Sequence, residues 1–325
     1  MNQFFKSRSK MLVMAIVLAS LIMGISGCSQ RQEAAGPATG QLPGAYLTIT
    51  DDNGREVTLP KKPERVVILA PSFVDIYYAV GGKAVGRAVT TVGVVPPEAR
   101  SVPVVSLRDA NLEKVIELQP DLVIALQGIS ENYIPILDSS RIPMIILRMK
   151  TYEDVLVKMK LFGDIAGTRE QARHVTETLN ERVTKLKQQA PPQSKKVVIL
   201  HATAKSITVE LENSIAGSVA KMLNLQNVAA GDQALDGNPE VTPYSMEALV
   251  ERDPDIIFVT VMGDQETIGR RMQADVESNP AWSSLRAVQN KQVFFLPMEL
   301  FLLSPGIRYD EAVTYMGKLV YPEIY

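Results

Sequence analysis

The amino-acid sequence predicts an α/β protein with two doubly wound parallel-sheet lobes, which are joined by one long rigid helix and have a ligand cleft between them. Three observations lead to this prediction. Short β-branched runs alternate with helical patterns, the two halves of the chain repeat the same phrases, and one long amphipathic segment separates the halves. The chain of 325 residues is also too long for one ordinary hydrophobic core.

The alternation is present in both halves of the chain. Each β-branched run is bounded by turn residues and followed by a helical pattern, which is typical of buried strands in a parallel sheet. We therefore predict an N-terminal lobe over residues 46–150, connecting helices over 151–194 and a C-terminal lobe over 195–325. The predicted strands are RVVILAP (65–71), AVGRAV (84–89), DLVIAL (121–126) and PMIILRM (143–149) in the first lobe, and VVILHA (197–202), DIIFVTV (255–261) and QVFFLP (292–297) in the second.

Two phrases occur in both halves. NLEKVIELQPDLVIA (111–125) and SMEALVERDPDIIFV (245–259) share a capping residue, a glutamate, an apolar pair, Pro-Asp and a β-branched run. RVVILAP (65–71) is echoed by VVILHA (197–202) at nearly the same offset. A single large offset indicates a duplicated unit rather than an array of short repeats.

The segment between the halves predicts a linker helix over residues 168–190. Thr168 and Gln171 have the spacing of a capping box, and Pro191 and Pro192 end the helical pattern. A helix of this length spans about 30 Å, the width of a lobe, and leaves little room for large hinge closure. Its apolar stripe is formed by Ala172, Val175, Leu179, Val183 and Leu186.

The N-terminus has the pattern of a lipoprotein export signal. Three basic residues precede an apolar run over 11–25, which is too short to span a bilayer comfortably, and ISGC then places small residues before Cys28. We predict a signal peptide over 1–28 whose lipobox leaves Cys28 diacylated, followed by a flexible tether over 29–45. The alternative is a simple signal peptide with an incidental cysteine. The first interpretation predicts a protein anchored by lipid to the extracytoplasmic face of the cell membrane.

Composition excludes two classes of protein. The formal net charge is −2, and removal of the basic leader makes the mature chain more acidic, so a nucleic-acid partner is not expected. The single cysteine excludes a disulfide framework.

The chain resembles the helical-backbone substrate-binding proteins of ABC importers, the family that serves ferric siderophores, haem and cobalamin. The resemblance implies a binding protein rather than an enzyme. We expect this binding protein to act as a monomer beside the transmembrane subunits of a permease. It also implies that a glutamate on each lobe docks to permease arginines, and Glu113 and Glu247 occupy the matching positions. The alternative is that a first-turn glutamate only favours the helix dipole. The matching stretches are ITDDNGREVTLPKKPERVVILAPS, NLEKVIELQPDLVIA, YSMEALVERDPDIIFV, NPAWSSLRAVQNKQVFFLP and SPGIRYDEAV.

Candidate ligand-binding residues follow from the rule that ligands sit beyond the carboxyl ends of parallel strands. Three of them are arginines, whose guanidinium groups grip carboxylate or phenolate oxygens and favour an anionic ligand. Surface or interlobe ion pairing is the alternative role for these arginines. The predicted ligand-binding set is Ser72, Phe73, Arg87, Arg108, Gln127 and Arg148 in the N-terminal lobe, and His201, Met262, Met298 and Phe301 in the C-terminal lobe.

We expect the ligand to be a ferric siderophore, with haem or cobalamin as the alternative. A siderophore supplies all the ligands of its iron, so no protein metal ligand and no resident cofactor is expected. Haem would need an axial ligand, for which His201 is the candidate. With only two histidines in the chain, a receptor for bare Zn²⁺ or Mn²⁺ is not favoured. The sequence has no nucleophile elbow or phosphate loop, but a metallocofactor enzyme or a sensor of the same fold remains the alternative of a different class.

Overall fold

The structure is a computed structural model, and it describes residues 39–40, 44–90, 94–105 and 112–325. The predicted signal peptide, Cys28, most of the tether, Arg108 and Asn111 lie outside the described residues. Within the described ranges, no helix combines the length and the apolar character that a membrane span requires.

A small antiparallel sheet of three strands precedes the first lobe, and the Asp51 carboxylate helps to tie it to that lobe. Asp51 lies in the turn between the last two strands, where its Oδ1 accepts the backbone N–H of Arg55 at 2.9 Å. Its Oδ2 accepts the N–H of Ile146 at 3.1 Å, which fixes the turn to the last strand of the lobe. The three strands are β1 (Thr39–Gly40), β2 (Leu47–Thr50) and β3 (Glu56–Leu59).

The N-terminal lobe contains a five-stranded parallel sheet in the order β6-β5-β4-β7-β8. All four strand pairings are parallel, as the continuous β-branched runs predict. The strands are β4 (Val66–Ile68), β5 (Ala84–Ala88), β6 (Val104–Val105), β7 (Leu122–Leu126) and β8 (Met144–Leu147), and the helices are α1 (Pro71–Ala79), α2 (Leu112–Glu117) and α3 (Ile134–Ser139), with 3₁₀ turns at Pro97–Ala99 and Glu131–Tyr133.

Two helices connect the lobes, α4 (Tyr152–Ala166) and the long helix α5 (Arg169–Gln189). The observed α5 agrees with the predicted 168–190, but the predicted capping box is wrong. Thr168 makes no capping hydrogen bond, and its hydroxyl instead donates to the Val80 carbonyl at 2.6 Å. The Gln171 amide donates to the Ala79 carbonyl at 3.0 Å, so both side chains tie α5 to the end of α1.

The C-terminal lobe contains a mixed sheet in the order β12-β10-β9-β13-β14, with β11 also paired to β9. Strands β9, β13 and β14 are parallel as predicted, and the short strand β11, which was not predicted, also pairs with β9 in parallel. Strand β10 pairs antiparallel with both β9 and β12, and these pairings extend one edge of the sheet. The strands are β9 (Lys196–Thr203), β10 (Ile207–Glu210), β11 (Gln226–Asn227), β12 (Val241–Pro243), β13 (Ile256–Met262) and β14 (Val293–Phe295), and the helices are α6 (Ile215–Met222), α7 (Met246–Arg252), α8 (Gln265–Glu277), α9 (Pro280–Ser283), α10 (Arg286–Gln289), α11 (Met298–Phe301) and α12 (Tyr309–Val320), with a 3₁₀ turn at Gly306–Arg308.

The hydrophobic core is continuous from one lobe to the other. Alternate residues of each central strand face opposite sides, so Val66 and Ile68 pack into one cluster while Val67 packs into another. The cluster of Val66 and Ile68 also contains Ile199 and Phe258 of the second sheet. The lobes therefore share one packed hydrophobic core, which supports the prediction of a stiff connection.

Candidate functional site in the interlobe cleft

The strand orders place a switch point in each sheet. In the N-terminal lobe, β5 and β6 lie on one side of β4, and β7 and β8 lie on the other. Residues beyond the ends of β4 and β7 therefore flank a crevice, as do those at the ends of β9 and β13 in the second lobe. Ser72 and Gln127 follow the first pair of strands, and His201 and Met262 lie at the ends of the second pair.

The two lobes meet around a small cavity at the base of this cleft. Residues that follow β4 and β5 face a segment that follows α11, and together they enclose about 20 Å³. The N-terminal lobe contributes Ser72, Asp75 and Thr90, and the C-terminal lobe contributes Ser304 and Arg308, among others.

Gly306 allows the close approach of the lobes at this point. It has a φ of +58°, in the left-handed region that favours glycine. A Cβ atom at Gly306 would lie 3.0 Å from an Asp75 carboxylate oxygen and 3.0 Å from Ile76 Cγ1. A side chain here would push the two lobes apart.

A larger groove of about 750 Å³ continues from the cavity along α1. Asp75, Val94 and Arg308 line both spaces, so the groove opens from the cavity. Its far end is formed by residues 81–84 and by Pro96, and apolar surface predominates in its lining.

Asp75 is the most perturbed carboxyl at the site. Burial raises its pKa from the ordinary 3.8 to about 7, while the Ile76 backbone N–H and the Arg308 guanidinium act in the opposite direction. The Ile76 N–H donates to one Asp75 carboxylate oxygen at 2.8 Å. Near neutral pH this carboxyl therefore exchanges between its neutral and charged forms.

Large apolar side chains remain exposed close to the ends of the strands. The exposed fractions are 58% for Ile129, which follows β7, and 54% for Met262, which ends β13. Val94, which lines the cavity, is 52% exposed. Apolar side chains exposed together around a cleft are typical of a ligand-binding surface.

Three of the predicted ligand-binding residues are buried, so the structure does not support ligand contact by them. Phe73 has no exposed surface, since its ring packs edge-on against Phe162 at 5.8 Å. Phe301 is likewise buried in the core. Arg87 donates from Nε to the Ala99 carbonyl at 2.7 Å, so its guanidinium orders the segment before β6.

Arg148 has the alternative role of interlobe ion pairing. Its Nη1 lies 2.8 Å from an Asp154 carboxylate oxygen, and its Nη2 donates to the Asn213 carbonyl of the C-terminal lobe at 2.9 Å. Glu240 of the same lobe lies 3.4 Å from Arg148 Nε and 3.1 Å from Lys150 Nζ. These groups hold the lobes together, and the predicted ligand contact of Arg148 is not supported.

The side chains of Gln127 and His201 have partners within their own lobes. The Gln127 amide donates to the Asp52 carbonyl at 2.8 Å. His201 Nδ1 lies 2.9 Å from the Thr260 hydroxyl, which also bonds to the buried carboxyl of Glu210. This network fixes the imidazole ring. Ligand contact by Ser72, Met262 and Met298 stays a prediction, and so does contact by Gln127 and His201.

Sequence reasoning missed Asp75, Ser304 and Arg308. Asp75 lies one turn inside α1 and not at the end of a strand, so the strand-end rule does not select it. Ser304 and Arg308 belong to the stretch SPGIRYDEAV, which carries part of the family resemblance but does not directly follow a predicted strand. For Ser304 and Arg308, the sequence signal is the local mixture of Ser, Gly and Arg directly before an amphipathic helix.

Comparison with known proteins places the chain in a family. The sequence profile of the periplasmic binding proteins matches residues 66–300, which is more than two thirds of the chain. The chain belongs to the periplasmic binding protein family. The match extends over the large sheets of both lobes and ends before Ser304 and Arg308.

Two relatives in Bacillus subtilis align with nearly the whole chain. One is an uncharacterised ABC transporter substrate-binding lipoprotein, 27% identical over 96% of each chain. The other is an Fe(3+)-citrate-binding protein, 25% identical over 92% of this chain and 93% of that protein. The first relative is thus a substrate-binding protein of an ABC transporter, and the second binds Fe(3+)-citrate.

Solved structures of the family share the fold. An ABC transporter substrate-binding protein from Listeria monocytogenes superposes with a TM-score of 0.71 at 21% identity, covering 81% of this chain and all of that one. Staphylococcus aureus IsdE complexed with haem gives a TM-score of 0.70 at 22% identity, covering 79% of this chain and 98% of that one. At these identities the likeness establishes the two-lobed architecture.

The two repeated phrases form α2 and α7 on this family fold. Glu113 and Glu247 lie in the first turns of these helices, and both side chains are exposed. Ser245 caps α7, because its hydroxyl accepts the Ala248 N–H at 3.3 Å. Each lobe therefore presents one exposed acid at the start of a short surface helix.

Proposed function

We propose that this protein is an extracytoplasmic substrate-binding lipoprotein that captures a ferric complex, a ferric siderophore in particular, and delivers it to an ABC permease. The observation that carries the proposal is the interlobe cavity with its adjoining groove, where both lobes contribute polar groups and the exposed apolar side chain of Val94 lines both spaces. The full-length relative that binds Fe(3+)-citrate supports a ferric ligand. The relative described as a lipoprotein supports an anchored location.

The hydrophobic core that the two lobes share suits capture of the ligand and its delivery to a permease. A protein that is rigidly connected changes little between its free and bound forms, so a permease can recognise the same two surface helices in either form. Apolar surface in the cleft gives affinity for the organic shell of a chelate, and the polar groups give orientation. The iron needs no bond from the protein, because the chelate supplies its ligands.

Titration of the purified protein tests the ferric ligand against haem. We expect ferric siderophores or ferric citrate to quench the emission of Trp282 saturably, and haemin to give no saturable Soret shift. His201→Ala is expected to leave ferric-chelate affinity within about twofold, because the imidazole is held by Thr260 and a chelated iron needs no axial ligand. His174→Ala, an exposed position on α5, is the matched control. A Soret shift that only His201→Ala abolishes, without any chelate response, would replace the ferric chelate by haem.

Fractionation of cells tests the lipid anchor. Cys28→Ala is expected to move the protein from the membrane fraction to the soluble extracytoplasmic fraction, because two acyl chains anchor stably and their loss leaves no comparable membrane affinity. The measurement is the ratio of the protein in the two fractions, with Ser29→Ala as the control beside it. Tight membrane association of the Cys28→Ala variant would contradict lipidation at this residue.

A further inference from the structure

Two residues that line the interlobe cavity each have a buried polar atom without a hydrogen-bond partner among the described residues. These atoms are the Ser304 hydroxyl oxygen and the Arg308 Nε atom. Arg308 Nε lies 3.2 Å from a Glu311 carboxylate oxygen, but outside hydrogen-bond geometry. Buried polar groups in proteins are nearly always paired, so two such donors at one cavity call for an explanation.

The opposite wall of the same cavity carries the Asp75 carboxyl. This group comes from the N-terminal lobe, whereas Ser304 and Arg308 come from the C-terminal lobe. Gly306, between them in sequence, brings its backbone to the carboxylate. Three polar residues from the two lobes therefore line the same small cavity.

On the basis of the proposed function, we propose that Ser304, Arg308 and Asp75 form a subsite that receives a carboxylate oxygen of the ferric ligand. The hydroxyl and the guanidinium are hydrogen-bond donors, and a carboxylate oxygen is a strong acceptor. The cavity of about 20 Å³ has room for one such atom. The ligand class is thus a ferric chelate with a free carboxylate, of the citrate type, rather than a neutral hydroxamate.

Asp75 gives this subsite a dependence on pH. A ligand carboxylate beside Asp75 favours the protonated carboxyl, which then donates a third hydrogen bond. Binding therefore takes up a proton, and affinity falls as the pH rises through about 7, the pKa of the free site. The other charged or titratable groups lining the cavity and the groove around Asp75 are Arg308, Glu299, Tyr78, Lys83 and Glu98.

The test compares two ferric probes on the full-length purified lipoprotein. Ferric citrate carries carboxylates, whereas ferrichrome is a neutral trihydroxamate. Dissociation constants are measured at pH 6.0, 7.0 and 8.5 for the wild type, Ser304→Ala, Arg308→Ala, Arg308→Lys and Asp75→Asn. Arg173→Ala on the exposed face of α5 is the matched control, and thermal unfolding establishes that each variant is folded.

We expect Arg308→Ala to weaken ferric citrate binding about tenfold or more, which is the loss of a charged hydrogen bond. Ferrichrome affinity should change less than twofold in the same variant. Asp75→Asn keeps a hydrogen-bond donor that does not titrate. The ratio of its ferric citrate affinity to that of the wild type should therefore increase from pH 6.0 to pH 8.5. Comparing the two proteins at one pH cancels the speciation of ferric citrate itself.

Three results would overturn the subsite. The first is an equal loss of affinity for ferric citrate and for ferrichrome in folded Arg308 variants. The second is an Asp75→Asn variant whose affinity depends on pH as the affinity of the wild type does. The third is a wild type that binds ferrichrome but not ferric citrate. Each would leave the proposed function standing and reduce the cavity to a site for ordered water only. A wild type that binds no ferric chelate contradicts the proposed function itself.

Discussion

Replacing both Glu113 and Glu247 with alanine is expected to abolish most uptake of the ligand while leaving its affinity unchanged. Both carboxylates are exposed in the first turns of α2 and α7, one on each lobe, so they can form charge pairs with arginines of two permease subunits. Neither side chain lines the interlobe cavity or the groove. Each single variant should lose part of the uptake rate, and the double variant should lose more than either.

Uptake is measured with a radiolabelled ferric chelate in cells that express each variant at equal level. Charge reversal to lysine should reduce uptake further than alanine, because it adds repulsion to the lost attraction. Glu170→Ala and Glu266→Ala are matched controls, since both residues are exposed first-turn glutamates on other helices. If the double alanine variant transports normally, Glu113 and Glu247 serve only the helix dipole, an effect of under about 1 kcal/mol.

Replacing Asp52 with alanine is expected to lower the free energy of unfolding by about 3–5 kcal/mol, the usual result of breaking a buried ion pair. Asp52 lies in the turn after β2, and one of its carboxylate oxygens is 2.8 Å from Lys158 Nζ on α4. The Lys158 side chain is only 1% exposed, so without Asp52 its charge would be buried unpaired. The same Asp52 oxygen accepts the backbone N–H of Arg148, which adds to the loss.

Urea unfolding at several pH values measures this effect. Burial already lowers the pKa of Lys158, and the removal of Asp52 lowers it further, so the folded variant binds fewer protons than its unfolded chain. The stability of the variant therefore rises with pH towards the ordinary pKa of lysine. The double variant Asp52→Asn, Lys158→Met should recover much of the loss, because no charge remains buried.

An exposed ion pair provides the control for this prediction. Arg173 Nη2 lies 3.0 Å from Glu170 Oε2 on the exposed face of α5. Glu170→Ala should therefore lower the free energy of unfolding far less than Asp52→Ala does, because exposed ion pairs contribute little to stability. Equal effects of Asp52→Ala and Glu170→Ala would show that Lys158 finds another partner or enough water. The pair would then contribute little to the junction between the first lobe and α4.

The buried pair and the interlobe ion pairs act on the same junction. Asp52 accepts from the backbone of Arg148, whose guanidinium reaches Asn213 and Glu240 of the second lobe. The junction between the lobes is therefore fixed by hydrogen bonds and ion pairs as well as by the shared hydrophobic core. This junction connects the lobe that carries Glu113 to the lobe that carries Glu247.

Local patterns in the sequence were sufficient to predict the fold class, the parallel strands, the long helix and the exposure of both glutamates. The strands and the long helix depend on local periodicity, and the two-lobed organisation depends also on the repeated phrases of the two halves. The β-branched runs bury both faces of their strands, and the spacing of Ala172, Leu179 and Val183 defines the buried face of α5. Glu113 and Glu247 are exposed because their neighbours occupy the apolar faces of their helices.

Only the tertiary structure decided which polar side chains face the cleft. Arg87 and Arg148 both lie at strand ends, yet one turns into its own lobe and the other pairs with groups of the second lobe. Burial raises the pKa of Asp75. The backbone of Gly306, more than 200 residues away in sequence, packs against its carboxylate. A charged side chain takes its role from the partners and the burial that it meets in space, and these are set by how the two lobes pack, which no short sequence pattern encodes.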